Sequence, residues 1–109
     1  MHQLPDELLD HVADRFRLLS DPTRLRILRS LLNGGEATVS EIVAATGATQ
    51  ANVSKHLRML ADARIVKRRA EGTSAYYKVI DPTVPELCDI VCGGIRQRVL
   101  DDAALVAAI

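Results

Sequence analysis

Between Thr49 and Arg58 the chain gathers hydrogen-bonding side chains and cations: Thr49, Gln50, Asn52, Ser54, Lys55, His56 and Arg58. The carboxamides of Gln50 and Asn52 can make paired contacts to adenine edges, while Ser54 and Lys55 suit phosphate oxygens. Short polar side chains near a helix N-terminus, with cations behind them, match the demands of a DNA major groove. Such a helix must be held from its other side. Val53, Leu57 and Leu60, spaced by four and three, give it an inward apolar face.

The residues just upstream supply the rest of the support. In Thr38-Val39-Ser40-Glu41 a hydroxyl residue stands three positions before a carboxylate, the pattern of a capping box that opens a helix. Ile42, Val43 and Ala45 follow as its apolar residues, and Gly47 can take the left-handed conformation that ends it. Thr49 is placed to cap the next helix. Residues 38–62 therefore read as a helix-turn-helix, with the second helix doing the recognition.

Around this unit the pattern is mostly helical. Leu8, Leu9, Val12, Ala13 and Phe16 predict a first helix over residues 5–19. Asp21-Pro22 pairs a capping residue with proline at the first helical position, and Leu25, Ile27, Leu28, Leu31 and Leu32 mark the buried face of a second helix. Asn33-Gly34-Gly35 stops it. Strands are expected at Ile65–Ala70 and Ala75–Ile80, joined by a turn at Glu71-Gly72-Thr73-Ser74, giving a wing over residues 65–80. A last helix over residues 84–107 carries Leu87, Ile90, Val91, Ile95, Val99 and Leu100 as an apolar stripe. The fold class expected is mainly α with a small β-hairpin: a winged helix-turn-helix in the order α-α-α-α-β-β-α, one domain spanning residues 1–109.

Composition narrows the function. The chain has 109 residues and only three aromatics (Phe16, Tyr76, Tyr77), so aliphatic packing must form a modest core and a dimer is an attractive source of further stability. No run of about eighteen apolar residues is present to span a membrane. The start, MHQLPDELLD, lacks the apolar core of a signal peptide, and a cytoplasmic location is expected by default. The net charge is zero, but residues 49–78 hold seven cations against Asp62 and Glu71. That local excess is the footprint of a DNA-binding face. Enzyme chemistry finds no phosphate loop, no nucleophile motif and only three separated histidines. The rival to a DNA reader is a winged helix serving as a protein–protein module.

Two segments carry a family resemblance. Asp21–Leu28, DPTRLRIL, resembles the second-helix signature of the arsenic- and zinc-responsive (ArsR-type) bacterial repressors, and Val53–Leu60, VSKHLRML, resembles their recognition-helix signature. The likeness extends over roughly residues 8–100. It implies a homodimer joined through its first and last helices, which binds double-stranded operator DNA and releases it when a metal ion or oxidant reaches a sensor site. It also places Thr49, Gln50, Asn52, Ser54, Lys55 and His56 toward DNA. Two of these have a plainer reading: Thr49 as a cap only, and His56 as a histidine that fixes the turn. The wing departs from the family pattern, with Thr73 and Ser74 where many relatives carry arginines at the tip; Arg68 and Arg69 on the preceding strand remain within reach of phosphates.

The sensor is less legible. The family's cysteine pair at the first helix of the recognition unit is replaced here by Thr38–Ile42, which has no thiol. Its last-helix zinc site keeps Asp81, but Thr83, Gly94 and Gln97 stand at the other positions, so that site is absent. What remains is Cys88 and Cys92, four apart on one helical face and expected to be reduced thiols. Three readings stay open for them: inert packing of an interface, a thiol or redox sensor, or a site for a soft metal or metalloid ion with His11 lending a nitrogen. No metal or cofactor is certain.

Overall fold

The structure, a computed structural model, describes residues 2–109. It contains α1 (Asp6–Leu19), α2 (Pro22–Gly34), β1 (Ala37–Thr38), α3 (Val39–Thr46), α4 (Gln50–Asp62), β2 (Val66–Glu71), β3 (Ser74–Val79) and α5 (Thr83–Ala107). Helices and hairpin follow the expected order, with one element added. The two residues of β1 pair with β3, Ala37 opposite Tyr77 and Thr38 opposite Tyr76, so the wing belongs to a three-stranded sheet ordered β1-β3-β2. Both wing strands are shifted by one residue from the expected bounds. Glu71 already pairs with Ser74, which leaves only Gly72-Thr73 as the loop. Gly72 has φ of 58°, and Thr73 does not share a positive φ, as a two-residue turn with glycine first requires.

Local hydrogen bonding sets the helix starts. Asp21 Oδ1 accepts from the Arg24 N–H at 3.1 Å, and Pro22 takes the first turn. The capping box forms in full, with the Glu41 N–H donating to Thr38 Oγ1 at 3.2 Å and the Thr38 N–H to Glu41 Oε1 at 3.1 Å. Gly47 ends α3 in the left-handed conformation at φ 73°. The Asn52 N–H then donates to Thr49 Oγ1 at 3.2 Å to open α4.

The exit from α4 was not legible. Arg64, the only non-glycine residue with positive φ among those described, stands at 60°, where helices usually place glycine. Two hydrogen bonds enforce it: the Arg64 N–H donates to the Ala61 carbonyl at 3.0 Å, and the Ile65 N–H to the Leu60 carbonyl at 2.9 Å. Leu60 and Ile65 are both fully buried, so an apolar contact of the kind that accompanies this motif offsets a backbone cost of about 1 kcal/mol.

The core is aliphatic, as the composition required. Ile27, Leu28, Leu31, Ile42, Val53, Leu57, Leu60, Ile65 and Val84 are fully buried, each worth about 1.5–3 kcal/mol of transfer free energy. Periodicity overestimated the burial of three faces. Leu25 and Leu32 of α2 are each 40% exposed, and Leu8, Leu9 and Phe16 of α1 also lie open. On α5, Ile90, Val91, Ile95, Val99 and Leu100 are all more than half exposed. A helical pattern marks apolar residues that need cover, and in one chain these have none.

The junction between β3 and α5 is tied to α1. Asp81 accepts from the Thr83 N–H at 2.9 Å and from its hydroxyl at 2.6 Å, and Arg15 of α1 donates to its other oxygen. The Thr83 hydroxyl, then its N–H and then Arg15 hold the Asp81 carboxyl below the ordinary carboxylate range. A depressed folded-state pKa gives stability that is present at neutral pH and lost as pH falls through that value. Asp81→Asn is therefore expected to lower the melting temperature at pH 7, with the deficit shrinking below about pH 4. A deficit unchanged down to about pH 2 would remove the carboxylate charge from this account.

Candidate nucleic-acid interface

The buried residues of α4 fix which way the others point. With Val53, Leu57 and Leu60 inward, a helical step of about 100° per residue puts Ala51, Lys55 and Arg58 at the middle of the outer face. All three are exposed. Asn52 and His56 lie on the flank toward α2. Gln50 and Ser54 lie on the other flank, toward the sheet. Thr49 sits at the cap, exposed, with its hydroxyl occupied by the Asn52 N–H.

Two grooves border this helix. One, of about 440 Å³, runs between α4 and the wing and is lined by Ser54, Lys55, Arg58, Asp62, Arg68 and Tyr77, three cations to one carboxylate. The other, of about 320 Å³, lies beside the turn and is lined by Thr23, Arg26, Thr46, Thr49 and Asn52. The structure thus brings Ser54, Lys55 and Arg58 together with Arg68 in one groove and Thr49 with Asn52 in the other, while Gln50 and His56 line neither. Thr23 and Arg26 join the second groove and were missed by the sequence reading. Their only signal was the resemblance of the segment they lie in.

The two wing arginines part company. Alternation along β2 puts Arg68 on the face of buried Val66, opposite Tyr77, and turns Arg69 away, opposite Tyr76. Arg69 donates to both carboxylate oxygens of Glu36, at 3.0 and 3.1 Å, and to Glu71 at 2.9 Å. Its guanidinium lies 4.8 Å from the centre of the Tyr76 ring. The Arg69 hydrogen bond holds the Glu36 carboxyl low, and Glu36 followed by Glu71 pushes Arg69 further up. Its charge is matched within the protein. Among the described residues, Lys55, Arg58, Lys67 and Arg68 have no carboxylate within ion-pairing distance.

His56 is half-buried, and its Nδ1 accepts from the Arg24 Nε–H at 3.1 Å. The arginine comes from the first turn of α2, thirty-two positions away, too remote for the sequence to have paired them.

The thiols sit apart from this surface. Cys88 is half-buried and packs against the core, while Cys92, one turn later, is exposed. Burial, and secondarily Asp89, pushes the Cys88 thiol up, which disfavours its thiolate. Among the described residues of one chain no three His, Cys, Asp or Glu side chains converge on a metal-sized site, so exposed His11 does not join the pair within a protomer. Cys88, Cys92, Ile95 and Val99 follow one another at spacings of four, three and four, which puts the sulfurs on the same stripe as uncovered aliphatics.

An exposed second helix with a grooved approach, a tight turn before it and a hairpin behind it define a winged helix-turn-helix. Comparison with known proteins agrees. The pattern described as bacterial regulatory protein, arsR family, matches residues 21–68. An HTH-type transcriptional regulator of Methanocaldococcus jannaschii is 38% identical over 85 residues, 78% of this chain and 96% of that protein. Among solved structures, the antimony-specific transcriptional repressor AntR superposes with a TM-score of 0.80 at 29% identity, over 88% of this chain and 86% of its own. The homodimeric winged helix-turn-helix DNA-binding domain of a possible ArsR-family regulator from Mycobacterium bovis gives 0.76 at 32% identity, over 91% and 94%. Across eight curated relatives the chain spans from 44% to 96% of the relative's own length.

The chain belongs to the arsR family of bacterial regulatory proteins. It is a DNA-binding transcriptional regulator, and the family is one of regulators rather than enzymes. No helix among the described residues is long and apolar enough to cross a membrane.

Proposed function

We propose that the protein is a homodimeric repressor that reads operator DNA in the cytoplasm with α4. The observation that carries this reading is the unpaired cationic surface of Lys55, Arg58 and Arg68 around a helix that also exposes Gln50, Asn52 and Ser54. Cations without partners are free to displace the counterions of a phosphate backbone, which supplies most of the affinity for any duplex. The carboxamides supply discrimination by pairing with base edges. Arg69, occupied by Glu36 and Glu71, is assigned to holding the wing in place. Arg68 is the wing's phosphate contact.

The dimer is assigned to α1 and α5, because their apolar residues are left open in one protomer and a similar structure is homodimeric. A twofold axis along α5 would bring two Cys88–Cys92 pairs together in a stripe otherwise built of aliphatics. Four soft donors suit a soft metal or metalloid ion, and the antimony-specific neighbour makes that class the first to try.

A mobility-shift titration with the promoter region upstream of its own gene tests the central reading. Binding should weaken steeply with salt and survive excess unrelated duplex; binding blind to both sequence and salt would favour a protein-interaction role instead. In the same assay Cys88→Ser with Cys92→Ser should bind DNA as before and lose its response to antimonite. A retained response would move the sensor off α5.

A further inference from the structure

We propose that Arg24 is a positioning residue that fixes the tautomer of His56, so that the imidazole presents an N–H donor to an acceptor on the DNA. The inference rests on the reading of α4 as the recognition helix and adds to it a residue of α2 that touches no base itself.

The argument starts with the guanidinium. An arginine has only donors, so the imidazole nitrogen that meets the Arg24 Nε–H must be unprotonated. That nitrogen is Nδ1, at 3.1 Å. In the neutral ring the proton then resides on Nε2. No residue among those described accepts from Nε2, and Nε2 is not among the side-chain atoms sealed from solvent without a partner. The free donor thus stays accessible, on the flank of α4 that also holds Asn52 one turn earlier.

Arg24 is itself held on every side. One Nη–H donates to the Leu18 carbonyl near the end of α1 at 3.2 Å, and the other to Met59 Sδ on α4 at 3.3 Å. Its backbone N–H is taken by Asp21, whose carboxyl this bond holds low. The planar fork cannot rotate without giving up several partners together, so the ring of His56 has one preferred orientation. This is the relation by which a backbone carbonyl or carboxylate orients a catalytic histidine, with the polarity reversed. Here the donor lies behind the ring and forces the donor in front. A donor in front matches a phosphate oxygen or a major-groove acceptor (purine N7, guanine O6 or thymine O4), and rejects the amino groups of adenine and cytosine.

Three measurements test this. In protein labelled with ¹⁵N-histidine at about pH 8, where imidazole is neutral, His56 should show a single Nε2–H tautomer with a hydrogen-bonded Nδ1. Arg24→Met should shift its nitrogens toward the averaged values of free histidine. The third is operator affinity of His56→Asn, whose Oδ1 falls near the position of Nδ1. This variant keeps an acceptor for Arg24, and so its melting temperature, but has no group at Nε2. Its affinity should fall about a hundredfold, about tenfold for the one hydrogen bond that each protomer of the dimer loses. A loss shared by all duplexes identifies a phosphate acceptor, and a loss confined to one position of each half-site identifies a base acceptor there. Wild-type affinity in His56→Asn, or an Nδ1–H tautomer in the unaltered protein, would overturn the proposal. If the unaltered protein binds no duplex, the reading of α4 fails with it, whatever the tautomer.

Discussion

Placing glutamate at both Ile95 and Val99 is expected to split the dimer and to lower operator affinity by about two to four orders of magnitude. The two side chains are 61% and 60% exposed in one protomer and share a face of α5. Covering an aliphatic side chain of this size contributes about 1.5–3 kcal/mol, and the twofold repeats each gain. Four introduced carboxylates would face one another where those contacts should form, and like charges in a desolvated interface are strongly unfavourable. Neither residue packs in the core of the chain, so the monomer should keep its helical circular dichroism. Sedimentation reads the oligomeric state, and titration against a full operator and a half-site reads the coupling. Two linked recognition helices bind the full site as one event followed by an intramolecular one; a monomer has only the first. The assignment of α5 would be wrong if the double variant still sedimented as a dimer, or if its monomer bound the full operator undiminished.

Removing the unpaired cations should produce a different signature from removing the carboxamides. Lys55→Ala with Arg58→Ala and Arg68→Ala withdraws six phosphate contacts from a dimer on the present reading. The slope of log affinity against log salt should then flatten by about five, at roughly 0.9 per phosphate, and affinity at low salt should fall by at least about a thousandfold. Specific and unrelated duplexes should suffer alike. Gln50→Ala with Asn52→Ala should leave the slope nearly intact and shrink the preference for the operator, each lost base-edge pair being worth about 1–3 kcal/mol. Arg69→Ala serves as the internal control. Its charge is already matched by Glu36 and Glu71, so the slope should barely move. A slope that flattens as much for Arg69→Ala as for Arg68→Ala would show that the ion pairs open on DNA.

The sequence was most readable where structure is decided within one helical turn. Thr38 with Glu41, Gly47, Thr49 and the trio Val53, Leu57 and Leu60 are all local devices, and all stand as expected. The features that escaped are held together across the chain. Arg69 meets Glu36 thirty-three positions away, and Arg24 meets His56 thirty-two away; nothing in the intervening spacing announces either pair. β1 is two residues long and exists because β3 offers it an edge. The exposure of Leu25, Leu32 and the α5 stripe was hidden for another reason. Hydrophobic periodicity reports which face seeks cover and is silent on whether the cover comes from the same chain. The candidate site was therefore legible only as a list of side chains on α4. Which of the two wing arginines was free, and what stood behind His56, depended on tertiary contacts.

The left-handed Arg64 bears on the thermodynamics of association. Only Ala63, Arg64 and Ile65 separate α4 from β2, and hydrogen bonds and a sealed Leu60–Ile65 contact fix them. A corner held this way should give the helix and the hairpin little room to pivot against each other before a duplex arrives. Docking both on DNA then carries little ordering entropy on the protein side, and the deformation needed for a close fit falls to the DNA. An operator with flexible pyrimidine–purine steps between its half-sites would meet that demand most easily, even at base pairs no side chain touches.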